Sequence, residues 1–389
     1  MTVDNYSSEI GVGVSAGERP LRVIHFVTGG FSGATQVAVE LVRAAVTDPG
    51  MEALLVLRRK RQADPARVEA LRQEGLAVEV VQGWSHIATV LDLVRVCRRF
   101  KPDVLVAHGF SEHLWGRYAG LLAKVPALVH VEHNSRERYS WWRLAQAKWL
   151  AQRTAAIIGC SEGVKERLLE LGFPADRTMA IPNGIKLAPF VAAEATPYAD
   201  RTPGIVMSAR FARQKDHETL IRAVALLRDR GLTPPVMLAG VGKRRYRERA
   251  EQLVRELALS QQVQFLGHCP TVPALLMSHQ LFVLSTHYEG MPLAMVEAMA
   301  AGCAVVGSAV VGVKELLRDG VDGRLVAHAD AAALAHALEE LLRDPLWASA
   351  LAQQARERAL RDFGVAVMAE RYGNCLRTIT KHLAERPVA

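Results

Sequence analysis

Two glutamates, Glu289 and Glu297, flank the start of a predicted helix in the second half of the chain. The apolar run Leu281–Leu284 predicts a strand before them, and a glycine-proline turn then leads into good helix formers from Leu293. Unpaired backbone N–H groups in the turn, together with the positive end of the helix dipole, favour an anion at this point. Carboxylates on either side of such a turn can also accept hydrogen bonds from hydroxyls at two points of an extended polar ligand.

Both glutamates also have a simpler interpretation. Glu289 can stabilise the helix dipole, and Glu297 can be a solvated helix residue. Glu297 nevertheless lies within Ala294–Ala300, whose other residues are all apolar or small. A carboxylate in such a stretch usually has a partner, because an unpaired buried charge is costly. The composition of the helix therefore favours a functional role.

Two cations follow the first predicted strand of the same half. Arg210 and Lys215 flank one strand-to-helix loop, where a bidentate guanidinium and a mobile ammonium can hold a diphosphate. The loop can instead be a solvated basic surface, with Arg213 as a further cation. Two more loops that follow predicted strands, one ending at Gly242 and one containing His268, can let a ligand approach the backbone.

These side chains need a scaffold, and short apolar runs alternating with helical stretches predict one. The predicted strands are Leu21–Val27, Ala53–Leu57, Ala77–Val81, Val104–Ala107, Ala127–Val131, Ala155–Ile158, Gly204–Ser208, Pro235–Ala239, Val263–Leu266, Leu281–Leu284, Ala304–Gly307 and Arg324–Val326. Helices are predicted between them, including one over Val313–Arg318. The alternation predicts an α/β fold of two Rossmann-like, doubly wound parallel-sheet domains that face a central cleft. Ligands of such sheets bind beyond the carboxyl ends of the strands.

Three polar loops follow predicted strands of the first half. The loop containing Gly30 and Gly33 can admit a phosphate to a helix N-terminus, or it can be a tight strand-to-helix turn. His108 and His133 each end a strand, where an imidazole can serve a ligand or bond to a backbone carbonyl. The loop after His133 adds two further polar side chains, Asn134 and Arg136.

Composition narrows the class of protein. A chain of 389 residues with 50% hydrophobic residues can form two or three domains with real cores. No apolar run reaches the length of a membrane span. The five cysteines are scattered without a metal-binding or disulfide pattern, which predicts a reducing cytoplasm. A net charge of +8 is compatible with an anionic partner, and charge alone does not choose among nucleic acid, phosphorylated ligand and membrane.

Turn signatures and composition divide the chain. Residues 1–20 are polar and lack an apolar core, so they are expected to form a disordered leader. The first domain is expected over 21–185, a linker rich in alanine and proline over 186–203, and the second domain over 204–365. Residues 366–389 are expected to form a terminal helix.

At this point the motifs resemble those of a known enzyme family. Five motifs occur in the order and spacing of the retaining glycosyltransferases of family 4, which have the two-domain fold called GT-B: Arg210…Lys215, Gly240-Val-Gly242, Phe265-Leu-Gly267, Glu289-Gly-Met-Pro…Glu297 and Asp319-Gly-Val-Asp-Gly323. The resemblance covers nearly the whole chain from Leu21 and is strongest in the second domain. Pro182-Asn-Gly-Ile185 looks like the linker of the family, and Phe363…Tyr372 like its closing helix, which in relatives crosses back onto the first domain.

The resemblance implies a role for each matching residue. Arg210 and Lys215 would hold the donor diphosphate, and Glu297 would bind the ribose hydroxyls. His133 would lie near the reacting centre, while His108 is a weaker candidate on the acceptor side. Glu289 and the backbone that follows it would hold the transferred sugar, with contributions from Gly290, Met291, Pro292 and Leu293. Gly30 or Gly33 would border the phosphates from the first domain.

The resemblance also implies the chemistry. The donor would be a UDP-sugar or GDP-sugar, the reaction would need no cofactor and no metal, and retention would follow from attack on the same face as the leaving phosphate. No Asp-x-Asp motif is found. Val241 stands where an acidic residue is common, and the loop at Gly312 lacks one glycine of the usual pair, which leaves the preference for sugar and base open.

The acceptor is expected to be a glycan or a lipid-linked molecule. Residues 136–153 combine five basic residues with three tryptophans, so this helix can lie on an anionic inner membrane, or its aromatic stripe can pack on the first domain. A peripheral position on the cytoplasmic face of that membrane would suit assembly of bacterial lipopolysaccharide or cell-surface polysaccharide. The sequence leaves monomer and homodimer open.

Two alternatives remain at the level of sequence. One is a nucleotide-sugar epimerase with the same two-domain architecture, and the other is a non-catalytic protein that binds sugar nucleotides. Nucleic acid is not expected as a partner, because the basic residues are dispersed and no known reader motif is present.

Overall fold

A computed structural model describes residues 19–60, 65–136, 139–191 and 196–385 of the chain. All but the last two residues of the predicted leader lie outside these ranges, as do 386–389 and part of the predicted linker. Within the described residues, thirteen strands form two parallel sheets. The strands are β1 (Leu21–Thr28), β2 (Met51–Arg58), β3 (Val78–Val81), β4 (Val104–His108), β5 (Ala127–Glu132), β6 (Ala156–Gly159), β7 (Thr178–Ala180), β8 (Thr202–Ser208), β9 (Val236–Ala239), β10 (Val263–Gly267), β11 (His279–Leu284), β12 (Ala304–Ser308) and β13 (Arg324–Val326).

Helices connect these strands and cover both sheets. They are α1 (Gly33–Val46), α2 (Pro65–Gln73), α3 (His86–Phe100), α4 (Phe110–Leu122), α5 (Trp141–Ala151), α6 (Glu162–Glu170), α7 (Ala188–Val191), α8 (His217–Asp229), α9 (Arg244–Glu256), α10 (Val272–Met277), α11 (Leu293–Ala300), α12 (Ala331–Arg343), α13 (Pro345–Asp362) and α14 (Val365–Ala384). No helix of the described chain is both long enough and apolar enough to cross a bilayer.

The strand order places the loops that carry polar side chains next to one another. The first sheet runs β3-β2-β1-β4-β5-β6-β7 and the second runs β10-β9-β8-β11-β12-β13. The order therefore reverses between β1 and β4 and between β8 and β11, and a crevice opens at such a reversal beyond the strand ends. The two parallel sheets agree with the predicted fold class.

Two predictions about elements differ from the structure. β7 was not predicted, because its three residues form no apolar run. The helix predicted over Val313–Arg318 is wrong: the structure has tight turns there, in which the amides of Val313 and Leu316 bond back to the carbonyls of Val310 and Val313. Gly312 precedes them with a φ of +80°, a conformation that interrupts a right-handed helix.

The last helix, α14, lies against the first sheet and not the second. Met368, Tyr372 and Leu376 share a buried cluster with residues of β1, α1, β4 and β5. The chain enters this helix through a short parallel bridge, in which Ile185 accepts a hydrogen bond from Val365 and donates one to Phe363. The first domain therefore takes part of its core from the end of the chain.

Candidate active site

A cavity of about 710 Å³ lies between the two sheets, beyond the carboxyl ends of their strands. Loops of both domains form its walls. Of the predicted site residues, those that line it are Gly33, His133, Asn134, Arg210, Lys215, His268, Glu289, Gly290, Met291, Pro292 and Leu293. The size is typical of a site for a small organic ligand.

Glu289 is the centre of the polar contacts in this cavity. The Lys215 ammonium donates to its Oε1 over 2.6 Å, and the Thr286 hydroxyl donates to the same oxygen over 2.7 Å. Glu289 is only 6% exposed, so this is a mostly desolvated ion pair. Its Oε2 accepts no hydrogen bond from the described residues, and it is therefore available to a ligand hydroxyl.

The loop that carries Lys215 is held by the loop that carries Glu289. The Gln214 carbonyl accepts a hydrogen bond from the His287 amide over 2.9 Å, and the Gln214 amide group donates to the Tyr288 carbonyl over 2.7 Å. Arg213–Lys215 form a single 3₁₀ turn before α8. These bonds fix the spacing between the cation and the carboxylate before any ligand contact is made.

The turn before α11 offers backbone donors to the cavity. None of the described residues accepts a hydrogen bond from the amides of Gly290 and Met291. The positive end of the α11 dipole adds to them, so an anion or a hydroxyl oxygen is favoured here. A Cβ atom on Gly290 would lie 2.1 Å from the carbonyl oxygen of His133, so the two domains meet at this glycine without room for a side chain.

Glu297 lies one turn further along α11 than Leu293, where the lining of the cavity ends. Burial of the carboxyl raises its pKa to about 7. No described side chain or backbone group donates a hydrogen bond to it. The structure thus places Glu297 just beyond the lining residues and without the compensating partner, among the described residues, that the sequence led us to expect.

Four other predicted residues also fall outside the lining. Gly30 and Gly242 do not line the cavity, although their chain neighbours Phe31 and Val241 do. The side chain of His108 is fully buried and also lies outside the lining. Arg136 is exposed and stacks its guanidinium 5.4 Å from the centre of the Tyr288 ring, across the two domains.

His133 is linked to two further imidazoles. Its Nε2 lies 3.2 Å from Nδ1 of His108, and Nε2 of His108 lies 3.0 Å from Nδ1 of His25. Burial lowers the pKa of His133 to about 4 and that of His25 to about 3. His25 was not predicted as a site residue, because a histidine inside an apolar strand has no distinguishing pattern.

A second polar cluster lies beneath the loop after β5. His113, His130 and Glu132 bring three ligand atoms within 4.8 Å of one another, a grouping that suits a metal ion. The fully buried Arg117 donates to Nδ1 of His113 over 2.6 Å, however, and its charge disfavours a second cation. Glu132 Oε1 instead accepts hydrogen bonds from the amides of His133 and Asn134, which shapes the wall of the cavity.

Two family models match the chain on either side of the cavity. The model described as Glycosyltransferase Family 4 matches residues 31–188, and the model described as Glycosyl transferases group 1 matches residues 193–359. The chain is a glycosyltransferase of family 4.

Curated proteins of similar sequence are also glycosyltransferases. The lipopolysaccharide core biosynthesis glycosyltransferase LpsE of Rhizobium meliloti is 27% identical, over 90% of this chain and 98% of the relative. A UDP-Gal:alpha-D-GlcNAc-diphosphoundecaprenol alpha-1,3-galactosyltransferase of Escherichia coli is 24% identical, over 71% of this chain and 76% of the relative.

A solved structure confirms the GT-B fold. The structure of Anabaena Alr3699/HepE in complex with UDP-glucose superimposes with a TM-score of 0.80 and 23% identity, over 92% of this chain and 100% of that chain. At this identity the likeness establishes the fold.

Proposed function

We propose that this glycosyltransferase moves a sugar, with retention of configuration, from a UDP-sugar or GDP-sugar to a hydroxyl of a glycan or lipid-linked acceptor. The observation that carries the proposal is the convergence of Arg210, Lys215 and Glu289 with the open N-terminus of α11 in one cavity between the domains. The names of the relatives support a nucleotide-sugar donor. They do not favour the epimerase or the non-catalytic alternative.

The proposed chemistry uses the cations as stabilisers of the leaving group. The bond between the anomeric carbon and the diphosphate breaks, and its electron pair goes to the phosphate oxygen. Arg210, Lys215 and the amides of Gly290 and Met291 can stabilise that developing charge without a metal ion. Because Lys215 is bonded to Glu289, a bound diphosphate would compete for the ammonium and leave the carboxylate to orient the sugar.

The acceptor hydroxyl oxygen then bonds to the anomeric carbon, and its proton passes to the leaving phosphate oxygen. A double displacement would need a carboxylate nucleophile below the anomeric carbon. Same-face attack needs none, and the anomeric configuration of the donor is kept. NMR of the product decides the point: the coupling constant of the new anomeric proton should match that of the donor, and an inverted linkage would exclude this mechanism.

We further propose that the acceptor belongs to bacterial lipopolysaccharide or cell-surface polysaccharide assembly, on the cytoplasmic face of the inner membrane. Support comes from the relatives named above and from α5. This helix buries Ala147, Leu150 and Ala151 against the domain, while Trp141 and Trp142 are 80% and 59% exposed. Two tryptophans that are mostly exposed suit a membrane interface.

The donor site can be tested by thermal shift with UDP, GDP, ADP and CMP and their sugars. Ligand at a hundred times its Kd should stabilise the protein by about 2.7 kcal/mol. One nucleoside diphosphate should raise the Tm of the wild type, and Arg210→Ala or Lys215→Ala should reduce that shift. Arg213→Ala is the matched control, since Arg213 belongs to the same loop but does not line the cavity. An equal shift in all three variants would refute the diphosphate clamp.

A further inference from the structure

Three histidines form a continuous row that begins at the cavity between the two domains, the reaction cavity, and runs into the first sheet. They belong to three neighbouring strands or strand ends: His25 to β1, His108 to β4 and His133 to the residue after β5. The successive nitrogen–nitrogen distances of 3.0 and 3.2 Å are hydrogen-bond distances. The far end of the row, at His25, lines a second cavity of about 380 Å³ between α1 and α14.

Each imidazole in this row carries one ring proton at neutral pH. Burial lowers the pKa of all three, to about 3 for His25, to about 4 for His133 and well below the ordinary value for His108. A neutral imidazole has one N–H and one lone pair. His108 bonds through both nitrogens, so its single proton can serve only one of its two neighbours. The row therefore has just two complete arrangements, in which all the N–H groups donate in one direction or all in the other.

The two ends of the row distinguish these arrangements. Nδ1 of His133 is buried, and it has no hydrogen-bond partner among the described residues. A buried N–H without a partner is rarer in proteins than a buried lone pair without one. The favoured arrangement therefore keeps the His133 proton on Nε2, where it is donated to His108. His108 then donates from Nε2 to His25, whose own Nε2–H is left for the second cavity.

We propose that His25 and His108 are positioning residues that hold His133 in the Nε2–H form, so that its Nδ1 keeps a lone pair, and not a proton, in the wall of the reaction cavity. The role of His133 toward substrate rests on the proposed function, whereas the arrangement of protons is a property of the protein alone. His25 would therefore act on the reaction cavity without lining it.

The arrangement is measurable by long-range ¹H–¹⁵N correlation on protein labelled with ¹⁵N-histidine, because the two tautomers give distinct ring nitrogen shifts. At pH 7 we expect His25, His108 and His133 all to be neutral and protonated at Nε2. Resonances are assigned by single His→Asn substitutions. A wild-type spectrum with the proton on Nδ1 of His133, or with a protonated imidazolium in the row, overturns the proposal.

Substitution of His25 tests the coupling. In His25→Leu, Nε2–H of His108 would face methyl groups, so His108 should move its proton to Nδ1 and donate to His133. The His133 proton should then appear on Nδ1, two residues along the row from the substitution. His25→Asn retains an acceptor near the position of Nδ1, and it should leave His133 in its wild-type form. Unchanged His133 shifts in the leucine variant would overturn the coupling.

Activity provides an independent readout once a donor is known. His25→Leu should lower kcat at least tenfold, while the rise in Tm that nucleotide binding causes should stay close to that of the wild type. His25→Asn should retain most of the wild-type kcat. If the spectra agree and no sugar transfer is found with any donor, the proposed function fails and the proton arrangement stands. If transfer is found and the spectra disagree, the reverse holds.

Discussion

At the scale of single residues, Glu297 is a carboxyl near the site that lacks a hydrogen-bond partner among the described residues. Burial alone raises the pKa of this carboxyl to about 7. Glu289, by contrast, is buried with two donors on one oxygen. An ionisable group kept in an apolar position without a partner is a sign of function more than of stability. The proposed contact with ribose hydroxyls would supply the missing donors.

The pH dependence of stability should reveal this cost. The folded pKa of Glu297 is raised above the unfolded value of about 4.3. Below pH 4.3 the carboxyl is protonated in both states, and its burial then has no ionisation cost. As the pH rises from there through about 7, the unfolded state ionises more readily than the folded state, so the free energy of unfolding falls. Glu297→Gln stays neutral, and it should be more stable than the wild type by about 1–3 kcal/mol at pH 8 and by little at pH 4.5.

Thermal unfolding of both proteins across this pH range measures the difference, in which the other titrating groups cancel. Glu166→Gln is the control, because Glu166 lies on the exposed face of α6 and loses the same charge. A gap between wild type and Glu297→Gln that stays constant from pH 4.5 to 8 would contradict the burial of an ionised carboxyl. A loss of the thermal shift by nucleoside diphosphate in Glu297→Gln would support the ribose contact.

The sequence could predict residues that belong to a motif and could not predict those that act through packing. Glu289 and Lys215 were predicted from their positions after strands, and the structure brings them into contact. Thr286 was not singled out, since a threonine at the end of a strand is common and its hydroxyl could bond almost anywhere. His25 was missed for a similar reason: only the pairing of β1 with β4 brings it to His108.

At the scale of elements, the turn before α11 joins the two domains at one point. Gly290 approaches the His133 carbonyl so closely that a Cβ would lie 2.1 Å from its oxygen, and a Cβ on Gly312 would lie 2.1 Å from the Gly290 carbonyl oxygen. Three loops thus stack backbone on backbone. Such contacts between carbonyl groups leave no flexible side chain that can move aside, so the position of α11 depends on both glycines.

Gly290→Ala should therefore displace the turn from the first domain. We expect kcat/KM to fall at least tenfold, because a shift of about 1 Å at a positioning element costs about two orders of magnitude in the rate. Gly320→Ala is the control. Its Cβ would meet open space, and its φ of +71° should cost about 1 kcal/mol of stability without a change in transfer. Wild-type kinetics in Gly290→Ala would show that the turn adapts.

The elements themselves were predictable where an apolar run was long enough to be seen. All twelve predicted strands are present, with ends that differ by a few residues. β7 has no apolar run, unlike the equally short β13, and its place at the edge of the sheet comes from pairing with β6. The turns over Val313–Arg318 have helix-forming residues, yet their backbone follows Gly312 and the contact with Gly290. In this segment tertiary packing outweighs the helix propensity of the residues.

At the scale of the whole molecule, the cleft is closed by contacts between backbone and side chain across the domains. The Gly163 amide donates to Glu315 over 2.6 Å, and the Asn183 amide lies 3.0 Å from the sulfur of Met291. Each contact joins residues more than a hundred positions apart in sequence. No pattern in the sequence predicts such pairs, because they depend on how the two sheets face each other.

The most exposed large apolar side chains of the first domain lie at the starts of α3 and α5. Trp84 and Ile87, at the start of α3, are 79% and 75% exposed, and Trp141 on α5 is 80% exposed. His86 lies between the first two, and its pKa is lowered by burial and by nearby cations that include Arg143 of α5. The starts of α3 and α5 are therefore neighbours, and their aromatic and basic side chains form one surface.

Liposome co-sedimentation should show whether this surface binds a membrane. We expect binding to vesicles with anionic lipid, weaker binding at high salt, and a clear loss in Trp84→Ala, Trp141→Ala and Arg143→Glu. Leu346→Ala is the control, since Leu346 is 85% exposed on α13 of the other domain. If the three surface variants bind as the wild type and the control do, the surface has another role.

Because α14 completes the core of the first domain, synthesis on the ribosome should leave that domain unfinished until α14 has been made. Val23 and Val37 emerge early, but Met368, Tyr372 and Leu376, which pack in the same cluster, come some 330 residues later. Until then an apolar face of the first sheet stays open, so the nascent chain offers a binding surface to chaperones throughout translation of the second domain. A protease that removes α14 would inactivate the enzyme without touching a residue of the reaction cavity.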